Sequence, residues 1–258
     1  MNRHIVLAVL RERNALWQHV DCMDHMFKNL IQNNVTPTKA SCRSTNIFKG
    51  RERLTEIFLK SGAGHILMID SDETFCPQTA LHLLDLDLPV VSGIVFNRSY
   101  PHFPCVYRRD PNSEQSITLA DQYKEWLRVN SVVAGPRPEI LDMPREGSIF
   151  EIDEAGTGCL LVRRDVIEAI EPPRFAGNGP IGTDLMFCRR IREAGFPIYA
   201  DFRVLLGHIT EVAISVIDFA NAVRGKNLIV PNPNHAGIND NEETGYGESK
   251  PTGSNTNT

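Results

Sequence analysis

The chain has 258 residues, of which 41% are hydrophobic and 23% are charged, and its formal net charge is −5 at pH 7. This length fits one ordinary α/β domain, and the composition is typical of a globular protein with a sizeable core. The negative charge argues against attraction of nucleic acid to the whole surface, although a local basic groove is compatible with it.

The cysteine pattern and the lengths of the apolar runs indicate where the protein acts. Six cysteines are scattered along the chain without a C-x-x-C pair, which favours reduced thiols in a cytosolic protein over a disulfide framework or a zinc site. The apolar run at residues 4–10 is short and lacks a small-residue cleavage pattern, so we interpret it as a first strand. No apolar run reaches the roughly 18 residues that span a bilayer, so we expect no membrane insertion and a cytoplasmic location.

Up to about residue 96, strand patterns alternate with helix patterns. The predicted strands are residues 4–10, 36–43, 65–69 and 88–96. The first helix has its expected core positions at Leu16, Val20, Met23, Phe27, Leu30 and Ile31, and the second has Leu54, Ile57 and Phe58 on one face before a terminating glycine. This alternation predicts a mainly parallel, doubly wound sheet whose ligands bind beyond the carboxyl ends of its strands.

The acidic stretch Asp70-Ser71-Asp72 follows directly on the predicted strand 65–69. At the edge of a ligand crevice, carboxylates must be solvated or bound to something. With one residue between them, both carboxylates can face the same side of an extended segment and hold a divalent cation, which can in turn hold a diphosphate. The alternative is that residues 70–73 cap a helix that starts near Pro77, since Ser and Asp are favoured at that position.

The second half of the chain supplies two further glycine-containing segments. Residues 148–170 are interpreted as a strand, a bend at Gly156-Thr157-Gly158, another strand and a helix. Residues 175–209 contain a glycine-rich loop, a helix with Asp184 in its first turn, and a strand that ends at His208. The structural interpretation of Asp184 is that it complements the helix dipole, and a lone histidine at a strand end is more often structural than a metal ligand.

Together these segments resemble the GT-A-fold glycosyltransferases, specifically the inverting family 2 type and its short relatives in bacteriophages. The resemblance rests on five motifs in order, HILMIDSDETF, LPVVSGIVF, GTGCLLVRRDVI, GTDLMFCRRIREAGFPIYAD and LLGHI. It spans roughly residues 44–209. It implies an α/β, Rossmann-like fold with a mainly parallel central sheet flanked by helices, in an enzyme of the cytoplasm, or of the host cytoplasm if the chain is phage-encoded.

The resemblance implies a metal-dependent donor site. Asp70 and Asp72, with Ser71 between them, match the family's D-x-D motif, whose second aspartate binds Mn²⁺ or Mg²⁺ while the first faces the donor's ribose or the water shell of the metal. His208 matches the histidine that completes the metal site, so the implied metal set is Asp70, Asp72 and His208. Mixed carboxylate and imidazole ligation suits Mn²⁺ better than Mg²⁺. Arg51 matches an arginine that reaches the donor pyrophosphate, the alternative being a solvated arginine on an amphipathic helix.

Asp184 matches the catalytic acid of the family's E-D motif, with Thr183 in place of the glutamate. The implied reaction is a single displacement at the anomeric carbon of a nucleoside-diphosphate sugar, in which Asp184 takes the proton of the acceptor hydroxyl as general base. Gly156, Thr157 and Gly158 match a turn beside the sugar and acceptor, or else form a tight bend between strands. The acceptor is expected to be a glycan or, as for some phage relatives, a hydroxymethylated base in DNA.

Two other classes remain open. A nucleotidyltransferase could use the acidic pair for phosphoryl transfer, but it requires neither His208 nor Asp184, and it usually has a glycine-rich, basic phosphate loop near the first strand, which this sequence lacks. The presence of Thr183 in place of the family's glutamate is also compatible with a nucleotide-sugar or carbohydrate binding module without catalytic activity.

Three regions flank or interrupt these motifs. Residues 97–110 mix aromatic and basic side chains and predict a loop and strand rim or, alternatively, an acceptor surface. Residues 110–147 are weakly patterned and are expected to form an insertion over the acceptor cleft. We expect residues 1–230 to form the glycosyltransferase domain and residues 231–258, which have almost no large apolar side chains, to form a disordered tail.

Overall fold

The computed structural model describes residues 3–11, 16–113, 115–132, 138–176 and 182–210, together with Val216 and Phe219. The strands are β1 (His4–Arg11), β2 (Thr36–Arg43), β3 (His65–Asp70), β4 (Glu73–Thr74), β5 (Val90–Ile94), β6 (Val106–Arg109), β7 (Ser116–Thr118), β8 (Ile149–Ile152), β9 (Glu154–Ala155), β10 (Cys159–Arg163), β11 (Ile198–Leu205) and β12 (Gly207–His208). The helices are α1 (Trp17–Gln32), α2 (Ile47–Ser61), α3 (Thr79–Asp85), α4 (Ala120–Val129), α5 (Arg164–Glu168) and α6 (Thr183–Glu193). The predicted tail at 231–258 lies outside the described residues, so the domain boundary stays a prediction.

Seven strands form the central sheet in the order β2-β1-β3-β10-β5-β11-β8. Five of them share one direction, and β10 and β8 run antiparallel to their neighbours. Two small sheets flank this one, β12 with β4 and β6 between β7 and β9. The predicted fold class, a mainly parallel central sheet flanked by helices in a single α/β domain, is confirmed.

The central strands are apolar at nearly every position because helices cover both faces of the sheet. Alternate residues of β1 enter two separate cores, since successive side chains of a strand point to opposite faces. Val6, Ala8 and Leu10 share a core with Leu54 and Phe58 of α2, whereas Ile5, Leu7 and Val9 share a core with Met23, Met26 and Leu30 of α1. The continuous apolar run at residues 4–10 is therefore a strand between two cores.

Helix α1 buries only part of the predicted face. Its buried residues are His19, Met23, Met26 and Leu30. Met23 and Leu30 are buried as predicted, and Phe27 is partly buried against the same core. Leu16, Val20 and Ile31 are 42%, 46% and 56% exposed, so the prediction is wrong for these three positions. The prediction weighed apolar character alone, whereas polar His19 lies on the buried face because its Nδ1 bonds to the carbonyl oxygen of Glu73 at 3.0 Å.

Helix α2 has a defined start and stop. The side chain of Asn46 accepts a hydrogen bond from the backbone N–H of Lys49 at 3.0 Å, and Gly62 follows the helix with φ at +71°. The predicted glycine stop is thus confirmed. Arg51 lies on the same buried face as Leu54, because residues three apart on a helix are neighbours.

The region 110–147 contains a core helix, in addition to its surface segments. Helix α4 buries Tyr123 and Trp126, whose rings meet Phe202 of β11 edge to face at centroid distances of 5.0 and 5.9 Å. The ring of Phe150 lies 4.3 Å from that of Phe202 on the same core. Aromatic pairs of this kind stabilise a core beyond their burial. They fix β11, the strand that leads to His208.

All six cysteines fall in the described part of the chain, and none forms a disulfide. Burial raises the pKa of Cys159 and of Cys188 to about 12, which makes both thiols poor nucleophiles. Within the described ranges, no helix combines the length and the apolar character that a bilayer crossing requires.

Replacing Phe202 with alanine tests this core. We expect Phe202→Ala to lower the free energy of unfolding by about 3–5 kcal/mol, because a fully buried ring leaves a cavity among its aromatic neighbours. Trp17→Ala is the control, since that ring is 70% exposed and its loss should change the free energy by less than about 0.5 kcal/mol. Chemical denaturation measures both, and equal effects would contradict the assignment of the core.

Candidate active site

The carboxyl end of β3 turns back toward a late segment of the chain. β3 ends at Asp70, Ser71 and Asp72 form a turn, and β4 follows at once. β4 pairs with β12, so that His208 lies opposite Glu73. The pairing joins residues far apart in sequence and brings Asp72 and His208 to the same edge of the sheet, with 3.4 Å between Oδ2 and Nε2.

The acidic segment does not cap a helix. Helix α3 begins at Thr79, and the residue before it is Gln78, whose side chain makes no capping hydrogen bond. The helix-cap interpretation of residues 70–73 is therefore wrong, and these acidic side chains need another structural or chemical role.

The turn at Ser71 and Asp72 separates the two aspartates of the D-x-D segment. The expectation that both carboxylates face one side assumes an extended chain, and the chain here is not extended. Asp70 Oδ1 lies 3.4 Å from a guanidinium nitrogen of Arg51, whereas Asp72 approaches His208. The two aspartates thus belong to different groups of side chains.

The first group, which we name the Asp72 cluster, comprises Asp72, Glu73 and His208. Each of the three offers one ligand atom, and these atoms lie within 4.8 Å of one another. Asp70, which the sequence resemblance adds to the metal set, is not part of this group of described residues. Two carboxylates and an imidazole suit a transition-metal dication such as Mn²⁺.

Hydrogen bonding fixes the orientation of the His208 ring. Its Nδ1 lies 2.7 Å from the carbonyl oxygen of Phe96, which accepts but cannot donate, so Nδ1 carries the proton. The Nε2 lone pair of the neutral ring therefore points toward Asp72. Burial lowers the pKa of His208, and the nearby charge of Arg98 lowers it further, both in favour of the neutral imidazole that a metal ligand requires.

Glu73 is a buried acid whose Oε1 lies 3.7 Å from His208 Nδ1. Its side chain is 1% exposed, and its Oε2 has no hydrogen-bond partner among the described residues. Burial raises the pKa of Glu73 well above its usual range, and the neighbouring charge of Asp70 adds to the effect. Buried carboxylates are normally paired with a cation, so the unpartnered oxygen beside Asp72 and His208 fits a metal ion as its partner.

The guanidinium of Arg98 contacts Asp72 and His208, the two members of the Asp72 cluster other than Glu73. Its Nε donates to His208 Nε2 at 2.8 Å, and one of its terminal nitrogens pairs with Asp72 Oδ2. The Arg98 side chain is itself 61% exposed. A positive group from the protein therefore lies against the atoms that would face a metal ion.

The second group, which we name the Arg51 network, joins three elements. Arg51 of α2 is 5% exposed, and its guanidinium pairs with Asp70 at the end of β3 and with Asp184 in the first turn of α6. The alternative of a solvated arginine is therefore wrong. A guanidinium is well suited to this place because its donors form a planar fork that two carboxylates can share.

Two threonines complete the surroundings of Asp184. Its Oδ2 accepts hydrogen bonds from the backbone N–H and the hydroxyl of Thr157 at 3.1 and 3.2 Å. Thr183, which stands in place of the family's glutamate, donates its hydroxyl to Asp184 Oδ1 at 3.0 Å and lies 3.3 Å from Arg51. The threonine that replaces the family's glutamate therefore donates a hydrogen bond to Asp184.

The glycines on either side of Thr157 allow close approach of the chain to this site. A Cβ atom at Gly158 would lie 3.3 Å from Val95 and 3.4 Å from Glu73 Oε1, and one at Gly156 would lie 3.2 Å from Cys105. The carbonyl of Gly158 accepts a hydrogen bond from the N–H of Asp70 at 3.3 Å. The bend thus packs between the Asp72 cluster and the Arg51 network.

Sequence reasoning identified most of these residues but missed two. The predicted Arg51, Asp70 and Asp184 meet in one network, and Thr157 joins it. Glu73 was missed although it directly follows the D-x-D segment, and its low exposure became visible only in the fold. Arg98 was included among the aromatic and basic residues of the predicted rim, without any link to His208.

No model of a known protein family matches the chain, and no curated protein matches it. Among solved structures it is similar to A197 from STIV, with a TM-score of 0.53 and 17% sequence identity over 82% of this chain and 90% of that one.

Two further solved structures match the chain with TM-scores below 0.5. GalNAc-T7, crystallised with UDP, GalNAc and Mn²⁺, gives a TM-score of 0.43 and 9% identity, and the match covers 86% of this chain and 47% of that chain. A glycosyltransferase involved in glycosylation of the major capsid of PBCV-1 gives a TM-score of 0.33 and 10% identity over 64% and 62% of the two chains. At such identities, likeness concerns the fold and does not transfer an activity.

Replacing Arg51 tests the network. We expect Arg51→Met to lower the free energy of unfolding by about 2–4 kcal/mol, because it leaves two carboxylates without a counterion while it keeps most of the aliphatic volume. The expected cost is below that of a fully buried pair, since the Asp70 and Asp184 side chains retain 35% and 27% exposure.

Arg163→Met is the matched control for that experiment. Arg163 pairs with Asp165 at 2.7 Å in a more exposed setting, at the opposite end of β3 from Asp70, and its loss should cost less than about 1 kcal/mol. If denaturant titrations give the same small change for both variants, the Arg51 network does not hold the site together.

Proposed function

We propose that this protein is a metal-dependent inverting glycosyltransferase that moves a sugar from a nucleoside-diphosphate sugar to an acceptor hydroxyl. The observation that carries the proposal is the meeting of the Asp72 cluster and the Arg51 network at one edge of a mainly parallel sheet. In open α/β sheets, ligands bind beyond the carboxyl ends of the strands. This edge therefore offers a place for a donor between a cation site and a carboxylate.

Asp72, Glu73 and His208 are the residues that would hold the cation. The pairing of β4 with β12 holds Glu73 opposite His208, and the Phe96 carbonyl orients the imidazole. Mn²⁺ suits this mixed set better than Mg²⁺, which prefers an octahedron of oxygen atoms. When bound, the cation would neutralise the charge that develops on the departing nucleoside diphosphate. Asp70 and Ser71 directly precede Asp72 in the chain, and they are proposed as further donor-binding residues.

Asp184 is the proposed general base. Arg51 and Thr183 bond to its Oδ1 and Thr157 bonds to its Oδ2, so the carboxylate is held in one orientation at the start of α6. In a single displacement, the acceptor hydroxyl attacks the anomeric carbon, its proton passes to Asp184, and the bond to the diphosphate breaks. One attack inverts the configuration at that carbon.

Arg51 acts here as a positioning residue. Because its guanidinium is buried and already shared by Asp70 and Asp184, its support for the reaction passes through those two carboxylates. A direct contact between Arg51 and the donor pyrophosphate, which the sequence resemblance implies, would require one of these pairs to open.

The acceptor proposed from the sequence is a hydroxyl of a glycan or of a hydroxymethylated base in DNA. The described rim next to the site carries exposed Tyr100 and Phe103, whose side chains are 65% and 37% exposed, and aromatic faces of this kind stack on sugars and on bases. Both classes of molecule should therefore be tested as acceptors.

Binding of a nucleotide sugar with Mn²⁺ is the first test of this function. Thermal unfolding of the purified protein against a panel of nucleoside-diphosphate sugars, with and without Mn²⁺, should show a rise in midpoint for one nucleotide only when the metal is present. Asp184→Asn should keep that rise and lose transfer by at least about 100-fold, since general-base catalysis contributes roughly 10²–10⁴-fold.

Each alternative class gives a different result in this experiment. A binding module would show the metal-dependent rise and no sugar transfer by the wild type to any acceptor. A nucleotidyltransferase would release pyrophosphate from a nucleoside triphosphate and would be insensitive to Asp184→Asn. If Asp184→Asn transferred sugar at the wild-type rate, the assignment of the base would be wrong.

A further inference from the structure

The guanidinium of Arg98 bonds to the one atom of His208 that is available to a metal. Nδ1 of the ring is engaged with the Phe96 carbonyl at 2.7 Å, so only Nε2 has a lone pair to offer. Arg98 Nε donates to this Nε2 at 2.8 Å, and another nitrogen of the same guanidinium pairs with Asp72 Oδ2. The Arg98 guanidinium thus bridges Asp72 Oδ2 and His208 Nε2, which lie 3.4 Å apart.

A divalent cation and the Arg98 guanidinium would compete for the same lone pairs. Both are positive, both use Asp72 Oδ2 and His208 Nε2, and neither can share those atoms with the other at ligand distance. Binding of the metal therefore has to displace Arg98. The side chain has room to leave, because it is 61% exposed.

The segment that carries Arg98 is a short loop with closed ends. Phe96 pairs with Pro104 as an isolated bridge, and the N–H of Asn97 donates to the carbonyl of Phe103 at 3.0 Å. Between these ends, residues 97–103 form a loop next to the Asp72 cluster. The displaced guanidinium consequently stays near the metal, on the solvent side of the site.

We propose that Arg98 occupies the place of the cation in the ligand-free protein and, once the metal displaces it, binds the diphosphate of the donor. The second half of the proposal rests on the proposed glycosyltransferase function, whereas the first half needs only a cation. The planar fork of a guanidinium matches phosphate oxygens and forms strong charge-assisted hydrogen bonds with them. In this exchange, the Arg98 side chain of the loop at residues 97–103 changes its partners when the metal and the donor bind.

The displacement step is tested with Mn²⁺ alone. We expect Arg98→Ala to bind Mn²⁺ on the order of fivefold more tightly than the wild type, because the variant has no exposed ion pair to break. Arg163→Ala removes an arginine of a partly exposed pair at the opposite end of β3 and should leave the affinity unchanged. Electron paramagnetic resonance of the free Mn²⁺ measures all three, and an unchanged or weaker affinity in Arg98→Ala would overturn the proposal.

The binding of the displaced Arg98 guanidinium to the diphosphate is tested with a panel of nucleoside diphosphates in saturating Mn²⁺. We expect Arg98→Ala to bind the nucleotide that the wild type prefers about tenfold more weakly, since it loses a charge-assisted contact. Arg98→Lys, which keeps the charge but lacks the fork, should fall between the two. Equal nucleotide affinity of Arg98→Ala and the wild type would overturn this half.

The two experiments separate failure of the inference from failure of the proposed function. If the wild-type complex with Mn²⁺ binds no nucleoside diphosphate while Arg98→Ala still tightens Mn²⁺ binding, the donor function and the diphosphate role fall and the counterion role of Arg98 stands. If the wild type binds Mn²⁺ and nucleotide and Arg98→Ala changes neither affinity, the function stands and the inference falls. If neither protein binds Mn²⁺, the Asp72 cluster is not a cation site and the whole proposal fails.

Discussion

The buried guanidinium of Arg51 joins three elements that are distant in the sequence. It sits on α2, and its two partners are Asp70 at the end of β3 and Asp184 in the first turn of α6. Removing a charge from water is costly unless it is paired, so these carboxylates and the guanidinium constrain one another. Thr157 then holds the second oxygen of Asp184 from the bend before β10. The position of the proposed base is thus set by contacts from α2 and from the bend before β10.

The turn at Ser71 and Asp72 gives the site two acidic centres in place of one. On one side, Asp70 is occupied by Arg51. On the other, Asp72 lies with Glu73 and His208 around a place that holds positive charge from Arg98 and fits a metal ion. Such a division separates the groups that would handle the diphosphate from the group that would accept a proton. Glu73 Oε2 has no hydrogen-bond partner in the part of the chain that the structure describes, and this is the physical reason to place the cation on the Asp72 side.

Part of this arrangement could be predicted from sequence because its signals are local. The apolar runs predict the central strands, and the glycine and threonine before Asp184 predict a helix start there. The pairing of β4 with β12 is non-local, so the place of His208 followed only from a family resemblance. Glu73 escaped prediction because strand alternation assigns it the side opposite to Asp72, and the turn removes that alternation. Three exposed positions of α1 were misassigned to the core because the prediction weighed apolar character alone, whereas polar His19 is buried with a hydrogen bond to Glu73.

Calorimetric titration of Mn²⁺ into single variants of the two centres tests this division most directly. We predict that Asp72→Asn and Glu73→Gln each weaken Mn²⁺ binding by more than about 100-fold, beyond the roughly 10–100-fold loss typical of a residue that only supports a ligand. Asp70→Asn should stay within about threefold of the wild type, because only a screened charge near the site is lost. If Asp70→Asn loses Mn²⁺ binding and Glu73→Gln keeps it, the cation does not bind at the Asp72 cluster.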